Sequence, residues 1–340
     1  MKPVFEKIVG QEAVKNLLAQ ALRQRAYSHA YLFEGPSGLG KEAMAREFAA
    51  AIFCSSENPP CHTCKSCHQV AAGTHPELRI IQPEDPEKDT TVSVEVIRTM
   101  IKDIYLKPYH GDWKVYIIPQ ADIMTFQAQN ALLKTLEEPP DHAVMILTSS
   151  KPQALLPTVL SRCQKADFRP VQRERIETWL QEFRGLPREQ ASALAAYAHG
   201  TPDRAVKMLD SESYRQHVQL FLTLTDVLSE GRLSPLLEAG EFLQRDKNQT
   251  LEILSMWQEW IRDLQVISLG GEEDLLIHQD QIQRLKQQAS LFSSRGYSQA
   301  LTILEEARED LINYGNLAFV SEMVLVNLQK CLVGHKAGTL

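Results

Sequence analysis

Three groups of residues in this chain could do chemistry. The first is Gly35-Pro36-Ser37-Gly38-Leu39-Gly40-Lys41, a glycine-rich turn ending in a lysine. Gly35, Gly38 and Gly40 let the backbone curl until consecutive N–H groups face one anion, and a helix starting there adds its positive end. Lys41 would reach the outer phosphates of a nucleotide such as ATP or ADP. The second group is Cys54-x₆-Cys61-x₂-Cys64-x₂-Cys67. Four thiolates this close can close a tetrahedral Zn²⁺ site, and four protein ligands leave no open position, so such a site is structural. Buried structural cysteines and an iron–sulfur cluster are the alternatives; overlapping CxxC pairs in a chain without a redox motif favour zinc. The third group is Ser161-Arg162-Cys163. An arginine at the rim of a nucleotide fold could reach a nucleotide on a neighbouring subunit, because its planar guanidinium stays charged and grips phosphate with two donors. On spacing alone, Arg162 reads as a surface arginine closing a turn. Arg204, in Gly200-Thr201-Pro202-Asp203-Arg204-Ala205, reads equally plainly as a helix-start residue.

The residues that should complete a hydrolytic centre are missing. A hydroxyl is wanted after the loop lysine to ligate Mg²⁺, and the residue there is Glu42. Acidic residues are wanted after the central apolar strand, to hold the metal and polarise the attacking water. Pro119 and Gln120 stand there. Asp122 comes three positions late and reads as a turn or helix-start residue. Three defects in the same metal-and-water chemistry predict a chain that does not hydrolyse nucleotide efficiently.

The elements that must position these groups follow from periodicity. A helix up to Gln24 is expected from Val14, Leu17, Leu18, Ala21 and Leu22. Strands are expected at His29–Phe33, Glu77–Ile81, Trp113–Ile118, Ala143–Thr148 and Lys165–Phe168. Helices are expected at Ala43–Ala51, Val94–Tyr105, Thr125–Glu137 and Ala154–Leu160. The cysteine segment, Cys54–His68, shows little periodicity, and Pro83–Asp89 reads as an acidic loop. Continuous apolar strands between helices predict a parallel sheet covered on both faces, with ligands at the carboxyl ends of the strands. After Arg169-Pro170 the strand pattern stops. Helices are expected at Arg173–Phe183, Pro187–Ala198 and from about Pro202, then throughout 210–335 with breaks at Gly231, Ser234-Pro235, Gly270-Gly271 and Gly315. Trp257 and Trp260 fall at helical spacing among Ile253, Leu254, Ile261 and Leu264, which predicts core or subunit contact and not a base-stacking platform. The expected fold class is α/β plus all-α. Residues 1–170 read as a nucleotide-fold domain with a zinc module at 54–67, 171–209 as a small helical unit and 210–340 as a helical remainder, with Gly334–Leu340 expected to fray.

At 340 residues, 44% hydrophobic and 23% charged, the chain suits a multidomain soluble protein. A net charge of −7 argues against a free-standing, non-specific nucleic-acid binder. There is no run of eighteen apolar residues and no apolar signal core at Met1–Lys7, so a cytosolic protein without a membrane span is expected.

Several of these segments together resemble the AAA+ subunits of the bacterial sliding-clamp loader of the DNA polymerase III holoenzyme. In order they are Ile8-Val9-Gly10-Gln11, His29-Ala30-Tyr31-Leu32-Phe33, the glycine loop, the four-cysteine module, and Asn130-Ala131-Leu132-Leu133-Lys134-Thr135-Leu136-Glu137-Glu138-Pro139-Pro140. Ser161-Arg162-Cys163 and Gly200–Ala205 complete the set. The Leu132–Pro140 segment with a downstream Ser-Arg-Cys is highly specific. The match covers residues 5–210, and the remainder only by length and class. The resemblance implies a P-loop, RecA-like sheet, a lid and a collar, and a place in an open ring with nucleotide sites at subunit interfaces. It implies that Arg162 acts in trans on a neighbour's ATP. Gly10-Gln11 would border the adenine side of the pocket, and Arg204 matches the lid arginine that senses the terminal phosphate. Gamma/tau and delta subunits, the sliding clamp, and primed DNA through the assembled complex are the implied partners. Active gamma/tau members carry Thr after the loop lysine and an acidic pair after the central strand. Glu42, Pro119 and Gln120 instead fit a branch that has lost catalysis and supports loading as a wall of the ring. Two other readings make different demands. A working, gamma/tau-like ATPase needs Mg²⁺-dependent hydrolysis by the isolated chain. A stand-alone zinc protein contacting DNA needs tight, salt-sensitive binding by the monomer.

Overall fold

A computed structural model describes residues 5–83, 91–278, 281–289, 294–313 and 315–333. The expected acidic loop falls almost wholly on residues 84–90, and the expected fraying tail on 334–340, both outside the described residues. The chain divides into two compact units, Met1–Arg204 and Ala205–Leu340.

The first unit opens with α1 (Glu12–Gln24), β1 (Ala30–Glu34) and α2 (Lys41–Phe53). It continues through α3 (Lys65–Ala71), β2 (Leu78–Ile80), α4 (Val94–Ile104), β3 (Lys114–Ile118), α5 (Phe126–Glu137) and β4 (Ala143–Ser149). Then come α6 (Pro157–Leu160), β5 (Gln164–Asp167), α7 (Arg173–Arg184) and α8 (Arg188–Ala198); α9 (Pro202–Asp210) runs into the second unit. The five strands form one parallel sheet in the order β2-β3-β4-β1-β5. Both faces are covered. Tyr31, Phe33, Val115, Ile117 and Ile146 point into a cluster with Val14, Leu18 and Phe48. The alternate residues Leu32, Tyr116, Ile118 and Leu147 point into a second cluster with Ile97, Met100 and Leu132. Every residue of β3 and β4 is buried, which is why those stretches read as unbroken apolar runs.

The topology positions the site. β1 lies between β4 and β5, while the chain leaving β1 goes on to β2 at the far edge. A reversal of this kind opens a crevice at the carboxyl ends of the strands. Register brings those ends together: Ile118 pairs with Leu147, and Glu34 with both Ser149 and Asp167.

Three local expectations change. The cysteine segment is not wholly irregular, because Cys64 caps the N-terminus of α3, its sulfur accepting from the Cys67 N–H. Too few apolar residues are present there for a periodic signal. The approach to Arg162 is not one helix from Ala154: Pro152–Ala154 is a 3₁₀ turn, and α6 starts anew at Pro157. A proline at a first helical position costs no hydrogen bond, so Pro157 opens a helix readily. For the same reason Ser234-Pro235 is not a break, since both residues sit in the first turn of a helix.

That helix belongs to the second unit, which is helical throughout its described residues: α10 (Glu212–Glu230), α11 (Leu233–Gly240), α12 (Lys247–Ser268), α13 (Ile282–Ala289), α14 (Ser294–Ile312) and α15 (Leu317–Val333). Trp257 and Trp260 are core residues, each with its ring N–H satisfied: Trp257 donates to Thr225 Oγ1 at 2.9 Å and Trp260 to Gln288 Oε1 at 2.8 Å. Among the described residues no helix is long and apolar enough to cross a membrane.

Candidate functional site

The glycine loop leaves the end of β1 and enters α2 at Lys41, as a phosphate-binding loop must. Gly35, Gly38 and Gly40 all have positive φ, at 140°, 75° and 83°. The loop closes on itself. Lys41 is 9% exposed, and its Nζ donates to the carbonyls of Gly35 and Pro36, each at 2.6 Å. Burial pushes the Lys41 ammonium down, and the Asp122 carboxylate partly opposes this. The loop is also covered from the lid side. Gly38 O accepts from the Asp203 N–H at 3.2 Å. A β-carbon on Gly38 would stand 2.5 Å from Thr201 Cγ2 and 3.2 Å from Asp203 Cβ. In the Gly200–Ala205 segment, Asp203 therefore has its backbone and β-carbon on the loop, ahead of Arg204, which is half-buried. A carboxylate there adds negative charge beside the glycine loop.

The missing metal ligands are missing in space as well. Glu42 is exposed and spends its charge on Arg46, one helical turn on, at 2.8 Å. Pro119 follows β3, and Gln120 is exposed in a left-handed conformation, its N–H donating to Thr148 Oγ1 at 3.1 Å. Asp122 lies in a 3₁₀ turn and accepts from the Ser150 N–H at 3.1 Å, tying that turn to the end of β4. The plain reading of Asp122 as a turn residue fits this geometry. The Gln11 side chain is occupied. Its Nε2 donates to Arg169 O at 2.8 Å, and its Oε1 accepts from the Arg169 N–H at 3.0 Å. A groove of about 840 Å³ runs past Gly10, Gln11, Glu34, Asp167, Arg169 and Val171.

The four cysteines converge. Cys54 follows the end of α2, Cys61 lies in the connecting loop, Cys64 caps α3, and Cys67 sits in its first turn. Their sulfurs all lie within 4.8 Å of one another. Cys54 and Cys64 sulfurs are 3.9 Å apart, close to the ~3.8 Å edge of a tetrahedron with zinc–sulfur bonds of about 2.3 Å. The thiols differ in acidity. The Thr63 hydroxyl and N–H and the Cys64 N–H donate to Cys61 and hold it down to about 5, whereas burial pushes Cys54 and Cys67 up. A divalent cation is the natural counter-charge for four such sulfurs, and its binding would displace their protons. His62 faces elsewhere: its Nε2 lies 3.3 Å from Glu47 Oε2 and its Nδ1 3.2 Å from Lys7 Nζ.

Arg162 stands between α6 and β5. Its Nη1 donates to Thr158 O at 2.9 Å and its Nη2 to Glu137 Oε1 at 2.6 Å. One third of its side chain remains exposed, at 33%. Sequence reasoning missed the residues that hold it. Gln129 is buried in α5; its Nε2 donates to Met124 O and Ala154 O, and its Oε1 accepts from the Leu156 N–H, so it fastens the segment leading into α6. A long polar side chain buried on the helix face of Ala128, Leu132 and Leu136 was the available signal.

The family described as DNA polymerase III, delta subunit, matches residues 10–172. The Bacillus subtilis protein named DNA polymerase III subunit delta' is 30% identical over 325 residues, covering 94% of this chain and 96% of that protein. The Bacillus subtilis protein named DNA polymerase III subunit tau is 38% identical over 169 residues, which is 49% of this chain and 29% of that protein. Among solved structures, a DNA polymerase III gamma-subunit-related protein from Thermotoga maritima overlays with a TM-score of 0.45 at 18% identity, covering 92% of this chain and 99% of that one. The Bacillus subtilis delta' protein matches along nearly the full length of both chains, and the chain belongs to the DNA polymerase III delta' subunit family.

Proposed function

We propose that this chain is a non-hydrolysing ring subunit of a bacterial clamp loader, acting on the ATP of a neighbour and not on its own. One observation carries the reading: a guanidinium is held at the surface of a nucleotide fold whose own loop lacks every metal-holding residue. Lys41 is committed to its own loop carbonyls, Glu42 to Arg46, and Gln120 offers no carboxylate. Arg162, by contrast, is anchored at two points and still one-third open. Arginines that meet a phosphoryl group in trans supply about 10³–10⁵ in kcat, by neutralising charge that develops on the transferring group.

In this reading the chain docks beside a gamma/tau-type ATP-binding subunit, with a delta-type subunit completing the ring, and assists placement of a sliding clamp on primed DNA. Arg162 donates to the neighbour's outer phosphate as the bond to the leaving oxygen lengthens. Gly35, Gly38, Gly40, Lys41 and Arg204 keep the framework of a nucleotide site without its metal chemistry. Cys54, Cys61, Cys64 and Cys67 hold one Zn²⁺, which cross-links the end of α2 to α3 and does no catalysis. We assign residues 1–170 to the nucleotide fold, 171–209 to the lid and 210–340 to a collar, and place the protein in the cytoplasm with the replication machinery.

The test is to purify the chain alone, quantify bound zinc and nucleotide, and assay ATP hydrolysis with Mg²⁺. The reading expects stoichiometric zinc, no turnover, and stimulation of gamma/tau ATPase on mixing. Mg²⁺-dependent hydrolysis by the isolated chain would make it a gamma/tau-like ATPase instead.

A further inference from the structure

The Leu132–Pro140 segment contains two consecutive glutamates, Glu137 and Glu138, at the end of α5. Nothing in the helix itself asks for a carboxylate there. The C-terminus is the negative end of the helix dipole, where acidic side chains are disfavoured. Glu137 nevertheless makes a 2.6 Å ion pair with Arg162, bringing together residues 25 positions apart in the chain. The pair is mounted on braced elements. Thr135 and Leu136 are buried beside it, and Tyr105 Oη donates to Glu138 O at 3.4 Å. At the other end of the helix Gln129 fastens Ala154 and Leu156. On the Arg162 side, the backbone N–H donates to Val159 O at 3.1 Å and Nη1 to Thr158 O at 2.9 Å.

We infer that Glu137 is a positioning residue for Arg162, fixing the guanidinium so that its remaining donors face a neighbouring subunit. The inference rests on the trans role proposed above for Arg162. A guanidinium carries five N–H groups in a rigid fork, so contacts to Thr158 O and Glu137 Oε1 leave donors for a phosphate. Two anchors on separate elements set both the position and the plane of that fork. A long side chain without them samples many rotamers and must be ordered when the ATP reacts, which slows the chemical step without weakening substrate binding. The charge-assisted bond is the stronger of the two anchors.

The experiment uses the reconstituted loader with its clamp and primed DNA, and reads steady-state ATP hydrolysis. In this chain it compares Arg162→Ala, Glu137→Ala, Glu137→Gln and the Arg162→Ala/Glu137→Ala pair. Glu137→Ala should lower kcat about tenfold and leave KM for ATP within about twofold. Glu137→Gln should recover part of the loss, since its amide oxygen still accepts from Nη2 without the charge. The double variant should be no slower than Arg162→Ala, because the two residues act as a unit. If Glu137→Ala turns over as fast as the unmodified loader, or faster, while Arg162→Ala is slow, Glu137 does not position the arginine and the trans role stands. If Arg162→Ala itself turns over normally, the trans role falls.

Discussion

Replacing Gln129 by alanine tests the bracing on which the geometry of Arg162 depends. Gln129 is 4% exposed and makes three hydrogen bonds: Nε2 to Met124 O and Ala154 O at 3.2 Å each, and Oε1 from the Leu156 N–H at 2.8 Å. Truncation strands one part-buried N–H and weakens the satisfaction of two carbonyls, of which that of the exposed Ala154 can turn to water. An unsatisfied buried group costs about 1–3 kcal/mol, and carbonyls tolerate the loss better than an N–H, so for part-buried groups the expected cost is about 1–2 kcal/mol. Gln129→Leu refills the volume but admits no water to replace the bonds, so it should be at least as costly as alanine. The cost is local, and native-state hydrogen exchange of the Leu156 amide reads it directly. A loss at the upper end, about 2 kcal/mol, corresponds to ~30-fold faster exchange, at 1.4 kcal/mol per decade. In the assembled loader both variants should also slow ATP turnover, through the looser approach to α6. If Gln129→Leu leaves Leu156 protected as in the unmodified protein, hydrogen bonding is not what holds this segment.

Two further outcomes follow from the described geometry. Cys64→Ser should abolish stoichiometric zinc and lower the unfolding temperature of the chain by the same amount as chelation of the unmodified protein, with DNA affinity unchanged. Zinc content by atomic absorption, with calorimetry and DNA titration, checks all three. In the second unit, burial pushes the Asp263 carboxyl up, but hydrogen bonds from the His278 ring and the Ile277 and His278 N–H groups outweigh burial and hold it below the usual range. A carboxyl lowered on folding stabilises at neutral pH, and that stability is lost as pH falls below the unfolded value of about 3.9. Asp263→Ala should therefore cost about 3–5 kcal/mol near pH 7 and progressively less below pH ~4, measured by urea unfolding across pH.

Much of the first unit was legible because its physics is periodic. β3 and β4 are buried on both faces, so Val115–Ile118 and Ala143–Leu147 appear as unbroken apolar runs, and the loop between β1 and α2 announces itself by glycines that need positive φ. The cysteine cluster was legible because its close spacing in the chain already keeps the four thiols near one another. What escaped depends on contacts distant in sequence. Glu137 meets Arg162 only because α5 packs beside α6. Asp203 stands with its β-carbon beside Gly38, and Gly200, just before α9, has no side chain to keep Pro170 away. Helix α3 was invisible because its start is set by a cysteine sulfur acting as cap, outside the usual Ser, Thr, Asp and Asn signals.

The central claim is that this chain serves a neighbour's ATP and not its own. It is tested most directly by measuring DNA-stimulated ATP hydrolysis of the reconstituted loader with Arg162→Ala or Lys41→Ala introduced into this chain alone. The account predicts that Arg162→Ala depresses turnover, by about 10³-fold or more at the interface it faces, while Lys41→Ala leaves turnover within about twofold of the unmodified complex. Loss of turnover with Lys41→Ala and normal turnover with Arg162→Ala would contradict it.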